Sequence, residues 1–353
     1  MPLFSRQLLI LLTDLLLLSG CVSIGPPSSI SPGLYAATTG LPATGSRVWT
    51  TAAGGINDFN VLKFHPGKAT DERCRDTLTF SYKELQHTRL PQAPGIVPLP
   101  TAGLGIDEAE VSVLEWKRYQ ELTAPAGQPL NPAVQPLAPA LPVPAYYTDA
   151  FYHRFPIVGI SREQAQVFCR WRSRVVTQAY NTGNHLDSLN RDYVRFEYRL
   201  PTEAEWELAA AAGGRGPWGV KCISIPVRVN PSAAAYLQRR SGSTASVEQI
   251  AADIKAYNQR QPARDWVSYA QAEPYFLRLA SPAYVWQGPP NDFGLYQMFG
   301  NAAELVQEPG LTKGGSYQDQ LTACTVRARG SYSGPAPTVG FRCVCEASYP
   351  NRK

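Results

Sequence analysis

The chain has 353 residues, 44% of them hydrophobic, which excludes disorder throughout and allows one large domain or two ordinary ones around a sizeable core. Its 33 Lys and Arg against 28 Asp and Glu leave a formal net charge of +5, scattered without a dense basic run, so the chain lacks the electrostatic footprint of a nucleic-acid binder.

At the N-terminus, Arg6 precedes an apolar stretch from Leu8 to Leu18 that is broken only by Thr13 and Asp14. That length is too short to span a bilayer permanently and suits the apolar part of a secretory signal. It ends in Leu18-Ser19-Gly20-Cys21, the order of a bacterial lipobox, which predicts a signal peptide over residues 1–20 and diacylation of the Cys21 thiol. At about 0.8 kcal/mol per buried methylene, three acyl chains hold a protein on a membrane almost irreversibly. Export also changes the cysteine arithmetic. Without Cys21, six remain: Cys74, Cys169, Cys222, Cys324, Cys343 and Cys345. An even number in an oxidising compartment favours disulfides, without choosing among the pairings. None of the spacings matches a zinc site.

Residues 21–47, rich in Pro, Ser, Gly and Thr, read as a flexible tether. Residues 48–105 carry Phe59, Phe64, Phe80 and Tyr82, enough apolar content for an extension on or beside a main domain spanning 106–353. Asp107 to Tyr119 predicts a short strand leading into a helix capped by Ser112, with Trp116 and Tyr119 on one face. Ala124 to Pro144 (124–144) is proline-rich and nearly uncharged, and is expected to be an extended surface excursion. Ser161 with Gln164 three residues on has the capping-box arrangement, followed by Ala165, Phe168, Cys169 and Trp171 near helical spacing. The same arrangement recurs in Arg199-Leu200-Pro201-Thr202-Glu203-Ala204-Glu205-Trp206-Glu207, where Thr202 caps and Glu205 reaches back. Gly213-Gly214 is its expected stop. Residues 217–290 read as an insertion with helical spacing between Ser232 and Tyr257. Beyond it, Asn291 to Glu304, Lys313-Gly314-Gly315-Ser316-Tyr317 and Gly340-Phe341-Arg342-Cys343 have glycines spaced for tight turns and close backbone approach.

Five segments in this order, EVSVLEWKRY, FPIVGISREQAQVFCRWRS, YRLPTEAEWELAA, NDFGLYQMFGNAAE and KGGSY with GFRC, resemble the formylglycine-generating enzyme superfamily, also called sulfatase-modifying factor. Within it, PIVGIS and PNDFGLY look most like the gliding-motility and type IX secretion lipoproteins of the GldJ and GldK type. The resemblance implies an α+β, C-type-lectin-like fold with short strands, few helices and much irregular chain. It also implies an outer-membrane lipoprotein on the periplasmic face, whose partners are the membrane, through Cys21, and other envelope proteins of a secretion or motility complex.

The enzyme branch of that superfamily oxidises a substrate cysteine with copper held by two thiolates, and soft sulfur pairs are what Cu(I) needs. The equivalent places here are Asp319 and Cys324, so the resemblance implies a degenerate copper site. The family's neighbouring tryptophan falls on Ala303, and the turn serine persists as Ser316, read here as a hydroxyl bonding local backbone. The resemblance further implies a bridge between Cys169 and Cys343. Cys324 is either a leftover ligand or half of another disulfide. No cofactor is required on this reading. A structural calcium would fall on Gln297, Gly300, Ala302 and Glu304, the alternative being a turn in which Glu304 bonds backbone N–H groups. His65, His87, His153 and His185 form no metal motif. The expected function is a non-catalytic structural or binding subunit. The rivals are a residual cysteine oxidase using Cys324 with Asp319 and a calcium-dependent glycan-binding module. Tyr236, Tyr257, Trp266, Tyr275 and Phe276 in the insertion would serve as aromatic anchors or as core.

Overall fold

The computed structural model describes residues 36, 38–41, 91, 93–124, 134–214, 225–226, 234–260, 265–266, 280–285, 290–320 and 323–352. The signal peptide, Cys21, Cys74 and Cys222 lie outside the described residues, as do the side chains of Tyr236, Tyr257, Trp266, Tyr275 and Phe276. Among the described residues no helix is long and apolar enough to cross a membrane.

Ten short strands and five helices are described: β1 (Ile96–Pro98), β2 (Leu104–Asp107), α1 (Val113–Thr123), α2 (Arg162–Gly183), β3 (Arg195–Arg199), α3 (Glu203–Ala211), β4 (Ile225–Pro226), α4 (Ala234–Ser241), α5 (Val247–Arg260), β5 (Asp265–Trp266), β6 (Ala303–Leu305), β7 (Leu311–Lys313), β8 (Gly330–Ser331), β9 (Val339–Gly340) and β10 (Val344–Ser348). The architecture is α+β. One antiparallel sheet runs β1-β2-β10-β3, and a second runs β8-β7-β6-β9 with β6 and β9 parallel. A separate pair joins β4 to β5. The segment Phe341-Arg342-Cys343 passes directly from β9 of the second sheet into β10 at the middle of the first.

The helix starts follow local chemistry. Ser112 accepts from Glu115 N, and at Ser161 and Thr202 both halves of a capping box form with Gln164 and Glu205. Helix α3 stops one residue earlier than Gly213-Gly214 suggests, because Ala212 already takes the left-handed conformation at φ 46°.

Helix α2 seals the open edge of the first sheet. Ser173, Thr177 and Asn181, spaced by four, meet Tyr198, Phe196 and Val194, spaced by two. Tyr198 N donates to Ser173 Oγ at 2.8 Å, Phe196 N to Thr177 Oγ1 at 3.0 Å, and Val194 N to Asn181 Oδ1 at 3.0 Å. Asn181 Nδ2 donates to Val194 O at 2.7 Å. Four helical residues advance about 6 Å and two strand residues about 6.6 Å, so the two rows stay in step over three rungs.

The main core lies between α1, α2 and the first sheet, with Trp116 stacked on Phe168 at 5.5 Å and Phe341 edge-on to both. Three sequence expectations are corrected here. The domain begins before Ile106, because β1 pairs with β2 from Ile96 onward. The expected tether over 21–47 is not wholly free: Ala36, Thr38 and Thr39 are buried, Thr38 donates to Glu115, and Arg172 donates to Thr38 O. The stretch 124–144 is not simply an extended excursion. Its described part holds a 3₁₀ turn at Ala138–Ala140, buries Ala140 and offers Val134 O to Trp116 Nε1 at 2.8 Å. The insertion expected at 217–290 has helices where its spacing placed them, split at Gly242, and it buries Ala234, Leu237, Ile250 and Ile254 in the main core.

Candidate functional site

The turn after β7 gathers Ser316, Asp319 and Cys324. Gly314 and Gly315 enter it at φ +86° and +68°. A Cβ on Gly315 would lie 2.6 Å from Cys324 Sγ, so only glycine lets the thiol sit there. Ser316 N and Oγ both donate to Asp319 Oδ2, at 2.8 and 2.7 Å, while Asp319 N donates back to Ser316 O at 3.1 Å. The Asp319 carboxylate therefore closes a local turn. The Ser316 hydroxyl thus bonds the Asp319 side chain and also accepts from Gln318 N at 3.3 Å.

Cys324 is fully buried, 3.5 Å from Gln320 O. Burial, reinforced by the nearby Asp319 charge, pushes its thiol up to about 12, so without a metal it stays protonated at neutral pH. Ala303 is buried in β6, and its N–H donates to Thr338 O at 2.8 Å. Among the described residues no three His, Cys, Asp or Glu side chains gather as metal ligands.

The Gly-Asn turn is held from below by charge. Glu304 accepts Arg342 Nε and Nη2 at 2.7–2.9 Å and Trp206 Nε1 at 2.8 Å. Arg342 is fully buried and also donates to Asp107 O and Tyr296 O. Burial works against its charge, but Glu304, with Glu110 and Asp107, outweighs burial and holds the guanidinium above its ordinary value. Both Glu304 oxygens are thus occupied, and a divalent cation placed on them would face a buried guanidinium. The donor set at Gln297, Gly300, Ala302 and Glu304 does not fit calcium as arranged. The alternative, Glu304 bonding backbone N–H groups, is corrected too, since its partners are Arg342 and Trp206.

Three features escaped the sequence reading. Glu110 lies buried beside Glu304 and accepts Asn301 Nδ2 at 2.9 Å and Ala302 N at 3.2 Å. Burial first, then the Glu304 charge, raises its carboxyl well above the usual range despite those donors and Arg342. Lys313 is also fully buried, with Nζ 2.9 Å from Glu207, 3.2 Å from Glu203, and 5.7 Å over the Trp206 ring. A lysine immediately before the Gly314-Gly315 turn and two glutamates four apart on a helix were visible signals, but nothing local joined them. The third feature is a polar cluster around Lys117 and His153.

Cys169 and Cys343 face each other with sulfurs 3.2 Å apart, against about 2.05 Å in a closed bridge. Burial first, then the adjacent Cys169, raises the Cys343 thiol well above its ordinary value.

The model of the sulfatase-modifying factor enzyme 1-like domain matches residues 97–347. The inactive C-alpha-formylglycine-generating enzyme 2 of Bos taurus is 26% identical over 214 residues, covering 56% of this chain and 52% of that protein, so the match spans about half the length of that curated relative. Among solved structures, Treponema denticola variable protein 1 matches at 17% identity and a TM-score of 0.39, covering 73% of this chain and 93% of its own. PvdO from Pseudomonas aeruginosa matches at 16% identity and a TM-score of 0.39, covering 71% and 82%. With its family model spanning most of the chain, from the β1 hairpin to β10 and across the Ser316–Cys324 turn, the protein belongs to the sulfatase-modifying factor enzyme 1-like domain family.

Proposed function

We propose that this chain is a non-catalytic envelope lipoprotein, anchored through Cys21 and acting as a structural or binding subunit of a gliding-motility or type IX secretion type complex at the outer membrane. The observation that carries the non-catalytic part is the Asp319 turn. The carboxylate in the first thiolate's place is spent on Ser316, and the remaining thiol, Cys324, is buried and protonated. A hard carboxylate and one thiol make a poor Cu(I) site. The name of the bovine relative, an inactive formylglycine-generating enzyme, agrees with that reading for its own chain. The lipobox and the PIVGIS and PNDFGLY wording support the envelope role, and the Cys169–Cys343 bridge belongs to the same proposal.

Copper(I) titration of the reduced protein tests the first part. The wild type is expected to bind no stoichiometric copper, and D319C, which supplies the second sulfur, to gain binding. One equivalent bound by the wild type would favour the residual oxidase. The envelope role is tested by pull-down of the tagged, lipidated protein in mild detergent with mass spectrometry of what accompanies it. A stoichiometric membrane complex is expected, and recovery of the protein alone counts against it.

A further inference from the structure

Away from the Ser316 turn, helix α1 and the chain around the 3₁₀ turn at Ala150–Tyr152 form a polar cluster that the reading above leaves unused. Lys117 Nζ lies 3.0 Å from His153 Nε2 and 5.0 Å from the centre of the Tyr147 ring, and the Tyr147 hydroxyl donates to Gln120 Oε1. Two groups that can each carry a positive charge cannot both do so at 3.0 Å in a half-dry site. Lys117 itself is half-buried, whereas His153 and Gln120 are buried. Two buried polar atoms of this cluster, His153 Nδ1 and Gln120 Nε2, find no hydrogen-bond partner among the described residues and are open to a polar ligand.

We propose that Lys117 is a carbonyl-reactive amine, whose Nζ, held against His153 beside Tyr147 and Gln120, forms an imine with a small aldehyde or ketone. In the step the Nζ lone pair bonds to the carbonyl carbon and the carbonyl π electrons move to oxygen. A proton leaves nitrogen for that oxygen through the adjacent imidazole, and loss of water gives the imine. Amine and carbonyl compound become imine and water, with no change of oxidation state. Gln120 Nε2 supplies an N–H for the carbonyl oxygen.

Burial of the site favours the neutral amine, and the Asp149 charge opposes it. Burial lowers Lys117 to about 8, opposed by Asp149, and burial with Lys117 and Arg154 lowers His153 to about 4. Asp149 is itself shared with Arg239 of α4 at 2.6 Å, Glu115 takes the Thr38 hydroxyl, and burial raises the Tyr147 phenol. At pH 7 about a tenth of such an amine is neutral, against about one in 2,500 for an ordinary lysine.

The full chain treated with limiting propionaldehyde and cyanoborohydride between pH 6 and 9 tests this, with peptide mass spectrometry reading each site. Lys117 should be alkylated at least tenfold faster than the exposed Lys255 at pH 7, with its rate half-maximal near pH 8. D149N, which keeps an acceptor for Phe151 N–H, removes the charge that favours ammonium and should raise the Lys117 rate at pH 7. Alkylation of Lys117 no faster than Lys255, or a Lys117 rate lowered by D149N, would overturn the proposal. Neither result bears on copper binding or on envelope partners, so this inference and the function proposed above stand or fall separately.

Discussion

The ladder between α2 and β3 offers the most direct test of how this fold is held. Asn181→Ala removes two donated bonds, to Val194 O and Thr177 O at 2.7 Å each, and one accepted from Val194 N at 3.0 Å. Val194 is only 1% exposed, so its N–H and C=O lose their partners without gaining water. At about 1–3 kcal/mol for each stranded buried group, the cost should be about 3 kcal/mol. Thr177→Val keeps the side chain's shape but strands both Phe196 N and Phe196 O, at about 2–3 kcal/mol. Urea unfolding should show a lower midpoint with an unchanged slope for both variants. Hydrogen exchange localises the effect: the amides of Val194, Phe196 and Tyr198 face the helix and should lose protection, whereas those of Arg195, Glu197 and Arg199 lie in the rows paired with β10. An Asn181→Ala protein within about 0.5 kcal/mol of wild type, or one whose alternate amides respond alike, would show that the helix does not carry this edge.

Arg342→Met should cost about 3–5 kcal/mol, because it leaves the buried Glu304 charge uncompensated; thermal unfolding would reveal it, and a loss below about 1 kcal/mol would mean that Glu304 is satisfied elsewhere. Glu110 has a raised folded-state pKa, so the native state holds that proton more tightly than the unfolded chain does. Its stabilising contribution is full below the ordinary glutamate pKa and is lost as pH rises through the raised value. In Glu110→Gln this decline in stability with rising pH should disappear from denaturation curves, and its persistence would assign the effect to another group. Peptide mapping under non-reducing conditions should recover Cys169 linked to Cys343, and Cys169→Ser should destabilise the oxidised protein by up to about 5 kcal/mol of chain entropy. Both thiols alkylated after denaturation of air-exposed protein would refute the bridge.

What could be read in the sequence was local. The capping pairs Ser161 with Gln164 and Thr202 with Glu205 lie within one helical turn, and the free N–H groups at a helix start accept few other solutions. The α+β class came from five motif segments, not from periodicity, since strands of two to five residues leave almost no alternation to detect. What could not be read was distant. Ile96–Pro98 carries no strand signature and becomes a strand only because β2 is beside it. The loss of Glu304 as a cation ligand depends on Arg342 and Trp206, which reach it from other elements. Ala212 could not be expected to end α3, because a left-handed alanine is a choice made by the surrounding packing.

The place of β10 has a consequence for how the protein comes into being. Residues 344–348 form the inner strand of the first sheet, with β2 on one side and β3 on the other, and the Arg342 guanidinium just before them locks Glu304 and the end of β2. Until that stretch is in place, the two halves of the sheet have no common backbone partner. The fold is therefore completed by closure of some of its longest loops, pairings that topology makes slow to form. A chain that postpones its own closure in this way leaves both halves of the sheet with open edges for longer.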